Sequence, residues 1–155
     1  MKHEFTSHQI WTAVAGAVAE WFFAVLPLLV VTIVMTHLGR STMILESAEW
    51  AFGASILAGQ ALVRLVAGVV RAKKLAIERV ILGISTILVL VVVPANITLA
   101  LVIMAEANDQ HISSLLVTAQ AGLFFFSSAL FILIASFAHL WTRRADHPLI
   151  RSSEI

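Results

Sequence analysis

Few residues of this chain have the chemistry to act, and those few sit in apolar surroundings. Glu20 is the only Asp, Glu, Lys or Arg between Phe5 and Gly39, and Arg64 is the only one between Trp50 and Val70. Glu20 lies nine residues beyond Trp11, roughly 13 Å of helix. Arg64 lies seven residues before Arg71, roughly 10 Å. On antiparallel spans the two charges therefore reach similar depth. Alone in hydrocarbon each would cost about 2.5–3.5 kcal/mol on insertion scales, so the expectation is a Glu20–Arg64 ion pair, within one subunit or between two. Gln60, one turn from Arg64 on the same face, would complete the hydrogen bonding. The other chemistry open to Glu20 is proton shuttling across the bilayer. Arg64 argues against that role by giving the carboxylate a fixed counter-charge.

A second polar pair is expected nearer the other side. Asn96 is eight residues before Met104 and Gln120 six after Ser114, which puts both roughly 10 Å inside that interface. An Asn96–Gln120 hydrogen bond between spans three and four is the plain reading, and a polar lining for a pore or small ligand is the sharper one. The histidines are His3, His8, His37, His111, His139 and His147. None is central in a span, which disfavours a bis-histidine haem. His37 and His111, near Glu46, Glu49, Glu106 and Asp109, could form a metal site or a pH sensor, but they lack the regular spacing of ligands and read as solvated loop residues, so neither a metal nor a cofactor is expected. No HExxH, GxSxG or phosphate loop occurs. Ser85, Ser127 and Ser128 have no histidine or aspartate placed with them and are expected to bond back to their own helix. The chain does not read as an enzyme.

The elements that must carry these residues are membrane spans. Of 155 residues 60% are hydrophobic and 12% charged, with no cysteine, and the mean hydropathy is +0.97. A soluble domain is nearer a quarter charged, and a disulfide scaffold or thiol chemistry is excluded. Apolar runs long enough for a bilayer predict helices at roughly 10–38, 50–70, 80–104 and 114–141. The fold class is thus an all-α integral membrane protein, a four-transmembrane-helix bundle forming one membrane domain over 1–155, with no soluble domain. The polar start, MKHEFTSHQ, does not read as a signal peptide. STMILESAE, residues 41–49, reads as an interfacial turn leading into span two.

Orientation follows from the basic residues. Lys2, Arg71, Lys73, Lys74, Arg79, Arg143, Arg144 and Arg151 fall on one side and Arg40 on the other, which predicts both termini in the cytoplasm of a cell with an inner membrane. Arg71, Lys73, Lys74, Arg79, Arg143 and Arg144 would form a cytoplasmic basic surface for anionic lipid and for an acidic protein partner. A net charge of +1 suggests no nucleic-acid partner. Small residues at three- and four-residue spacing (Ala13, Gly16, Ala17 and Glu20 in span one; Ser55, Ala58, Gly59 and Leu62 in span two, with Ala67 and Gly68 below) favour close helix approach and a homo-oligomer. Pro27 and Pro94 are expected to be tolerated bends. Trp21, beside Glu20, is expected to pack on another helix.

With four short-looped spans, a basic 71–79 turn and cytoplasmic ends, the chain resembles small inner-membrane subunits of bacterial anti-phage systems, the membrane component of Kiwa among them. The phosphate-starvation-inducible PsiE family has a similar plan. A glutamate in the first of four spans is also similar to small multidrug transporters, although this chain is longer and carries an arginine in span two. The first resemblance is one of layout and transfers no residue. It implies an oligomer that detects envelope disturbance and recruits a cytoplasmic effector. The function expected from sequence is a non-enzymatic, oligomeric sensor or scaffold subunit. The alternative is a small ion channel or proton-coupled transporter using Glu20.

Overall fold

A computed structural model of the chain describes residues 6–40, 44–72, 77–108 and 110–146, with backbone alone at 71, 72, 77, 79 and 141–146. Every regular element among the described residues is helical. They are α1 (Ser7–His37), α2 (Glu49–Ala72), α3 (Ile77–Ile87), a π turn (Leu88–Val92) running into α4 (Val93–Ala107), and α5 (Ser114–Asp146). Four stretches, Ser7–His37, Glu49–Val70, Val80–Ala107 and Ser114–Leu140, are long and apolar enough to cross a membrane. They suggest a multi-pass membrane protein, and they begin and end within a few residues of the predicted spans.

Local chemistry sets the ends and irregularities of these helices. At the start of α1 the Thr6 N–H donates to Gln9 Oε1 at 3.2 Å, satisfying one orphan donor of the first turn. Its end is a Schellman turn: the Arg40 N–H reaches the Met35 carbonyl at 3.0 Å and the Gly39 N–H that of Thr36 at 3.1 Å. That closure needs the left-handed backbone of Gly39, φ 72°. The helix continues through Pro27. Pro94 acts differently. It cannot donate one turn back, and the preceding turn widens to the π form, a recognised way of absorbing a lost helix bond. Threonine hydroxyls return to their own helix, as Thr32 does to the Leu28 carbonyl at 2.9 Å. Ser136 does the same to Ile132 at 2.7 Å. Ser127 and Ser128 depart from the expectation: both are buried, and neither hydroxyl has a hydrogen-bond partner among the described residues.

The centre of the bundle is the α2–α5 pair, the most extensive helix contact. On one side α1 packs mainly on α5 and less on α2, and on the other α3, the π turn and α4 pack against α2, with α4 also touching α5. The seam is built of small residues. Ala51, Ala54, Ala58 and Ala61 are completely buried along α2, and Ala13 and Ala17 along α1, which brings backbones close where lipid supplies no hydrophobic drive. The buried stripe of α2 thus shares Ala58 and Gly68 with the small residues expected from sequence, whereas Ser55, Gly59 and Leu62 lie to its side and Ala67 is exposed. Phe131 and Leu57 fill the space between the alanines. Toward the first connection Phe124 meets Trp50 edge-to-face at 5.0 Å, and the Trp50 indole donates to the Ile44 carbonyl at 2.7 Å. Trp21 packs against the same core.

Candidate functional site

Three buried seams end in one polar layer. Glu20 follows Ala17 by one turn on α1, Arg64 follows Ala61 on α2, and His139 follows Ala135 on α5. The helices that pack through those alanines carry the three ionisable side chains to a common point. Arg64 Nη2 lies 2.7 Å from Glu20 Oε2, an ion pair between α2 and α1. His139 Nε2 lies 3.2 Å from the other oxygen, Oε1. Each carboxylate oxygen therefore faces a group from a different helix, and the cluster is neutral with His139 uncharged and +1 with it protonated.

The structure thus brings Glu20 and Arg64 together and adds His139, which the sequence reading placed away from the centre of any span. The missed signal lay in the small-residue stripe. Gly16 leaves room for the imidazole, since a Cβ there would stand 3.3 Å from His139 Nε2. A bulky residue at 16 would hold α5 off and separate His139 from Glu20.

The layer is open to one side. A groove of about 590 Å³ between α1 and α2 is lined by Glu20, Arg64, Phe23, Gln60, Val63 and their neighbours. The side chains of Arg64 and Glu20 retain 43% and 30% exposure, so the ion pair forms part of the groove wall rather than a sealed core. Gln60 lies in that wall on the expected face, but it makes no hydrogen bond to Glu20 or Arg64 and does not complete the pair.

Asn96 and Gln120 are not partners, which corrects the expected interhelical pair. The Asn96 amide donates to Ser55 Oγ on α2 at 3.0 Å and to its own helix at the Val92 carbonyl at 2.8 Å. The second bond lies beside the π turn. The fully buried Gln120 amide donates to the Leu45 carbonyl and fixes the connection before α2 onto α5. Counting residues from an interface gives height along a span but not direction around it, and both amides turn toward the α2 segment. Of the expected basic surface, Lys73 and Lys74 lie outside the described residues, as do the side chains of Arg71, Arg79, Arg143 and Arg144. Among the described residues no three His, Asp or Glu side chains form a group able to hold a metal ion.

No protein family, curated protein or solved structure matches the chain.

Proposed function

We propose that the chain is a non-enzymatic, multi-pass subunit of a cell inner membrane, both termini cytoplasmic, that assembles with itself and works as a sensor or scaffold through a cytoplasmic protein partner. The observation that carries this reading is the capture of Glu20 on both oxygens, by Arg64 at 2.7 Å and by His139 at 3.2 Å. These contacts tie α1 to α2 and α5 and give the carboxylate a counter-charge within the bundle. The orientation rests on the one-sided basic residues. Arg71, Lys73, Lys74, Arg79, Arg143 and Arg144 would contact anionic lipid and receive the acidic partner. The likeness of layout to anti-phage membrane subunits adds antiviral defence as the setting.

A second reading, a proton-coupled transporter or channel using Glu20, draws on two observations: the groove beside Glu20 and an imidazole in contact with its carboxylate. Proton and potassium flux in liposomes, wild type beside Glu20→Gln, separates the two. The scaffold reading expects no flux above empty vesicles from either protein. Flux from the wild type that vanishes in Glu20→Gln would replace it with the transporter reading.

A further inference from the structure

The groove between α1 and α2 is the place where the isolated chain is incomplete. Gln60 is exposed in its wall and its amide makes no hydrogen bond within the described residues. It lies eleven residues before Arg71, roughly 16 Å of helix from that end of the span, near the middle of a bilayer. Hydrocarbon cannot satisfy an amide there, nor can it solvate the exposed parts of Arg64 and Glu20. The polar groups on this face sum to nearly zero charge and lie within about two turns of one another in height. Such a face is complementary to itself.

We propose that a second copy of the chain occupies this groove. The proposal rests on the self-assembling reading above and names the surface through which assembly occurs. Two copies inserted the same way close into a pair only about an axis along the membrane normal. Like depth then meets like depth, and Gln60 faces its symmetry equivalent. Each amide donates one N–H and accepts one in return, so that two reciprocal bonds satisfy both. Arg64 uses one nitrogen on Glu20 within its own subunit and has further donors toward the groove, within reach of the other copy's carboxylate. Phe23 and Val63, 74% and 68% exposed on the rim, supply the apolar contact around this polar centre. On α4 the exposed Asn96 amide already donates to Ser55 Oγ and to the Val92 carbonyl, and its exposed neighbours Ile97, Leu101 and Ile103 are apolar, which suits lipid.

The cysteine-free sequence makes the surface testable by single cysteines in membranes at low protein-to-lipid ratio. Val63→Cys should be oxidised by copper-phenanthroline to a covalent dimer, and Ile97→Cys, exposed on α4, should not. Adding Gln60→Leu should lower the dimerisation constant about tenfold, with Gln60→Asn recovering most of it. Cross-linking at Ile97→Cys without Val63→Cys would overturn the proposed surface and leave self-assembly standing. Single-step photobleaching in bilayers with no cross-link at either site would overturn both. A dimer indifferent to Gln60→Leu, together with phospholipid that copurifies with the wild type and is lost in Arg64→Met, would make lipid the occupant and overturn the proposal.

Discussion

Substituting Gly53 and, separately, Gly59 by alanine separates helix propensity from packing on the central helix. Both lie in the interior of α2, so the propensity gain of roughly 0.5–1 kcal/mol is common to both and cancels in their difference. At Gly59 an added Cβ has nothing within 4 Å, whereas at Gly53 it stands 3.2 and 3.3 Å from the edge of the Phe124 ring. Carbon pairs prefer about 3.5–4.0 Å, so the ring must retreat by a few tenths of an ångström. It has little freedom to do so. Phe124 is 4% exposed and lies edge-on to Trp50 at 5.0 Å, and Trp50 is tied to the Ile44 carbonyl. Overpacking of this kind costs about 1–3 kcal/mol, and Gly53→Ala should be less stable than Gly59→Ala by about 1–2 kcal/mol. Unfolding in bicelles, followed by steric trapping, measures the difference directly. If Gly53→Ala were as stable as Gly59→Ala, the close α2–α5 approach would be wrong. The convergence of Arg64 and His139 on Glu20, which depends on that approach, would fall with it.

Other parts of the structure give separate expectations. Gln120→Leu removes the clamp on the Leu45 carbonyl and should cost about 1 kcal/mol. Hydrogen exchange should then accelerate over 44–48, while the core of α5 keeps its protection. Gly39→Ala forces a side chain into the left-handed backbone at φ 72°, at a cost of about 1–2 kcal/mol. Its signature is earlier exchange at the Gly39 and Arg40 amides that close the Schellman turn. His139→Leu should cost about 1 kcal/mol, with Arg64 still holding the carboxylate. His139→Gln, which keeps a donor, should be nearer to wild type in the same unfolding assay.

The four long apolar helices were legible because runs of that length and composition have one structural solution in a bilayer, the helix. The meeting of Glu20 and Arg64 was legible for a related reason. Two isolated charges on antiparallel helices, counted from Trp11 and Arg71, arrive at nearly the same height. His139 escaped because it lies toward the end of its span, away from the centre where a buried partner was sought, whereas α5 runs on to Asp146. The Asn96–Gln120 pairing failed on azimuth. α4 packs on both α2 and α5, and Asn96 lies on the side facing Ser55 while Gln120 turns to Leu45. The alanine stripe of α2 was misread by a similar rotation, since small residues occur on adjacent faces and sequence does not rank them.

The central claim is that Glu20 and Arg64 belong to each other. Exchanging them tests it most directly, by comparing Glu20→Arg, Arg64→Glu and the double exchange for correctly inserted, folded protein in membranes. Each single change places two like charges at one depth, where an unpaired charge costs about 2.5–3.5 kcal/mol, and should lower the folded fraction tenfold or more. In the double exchange the pair is restored with its helices reversed, and a neutral His139 can accept from the arginine now on α1. Recovery to within about twofold of wild type is expected. A double exchange no better than the worse single change would contradict it.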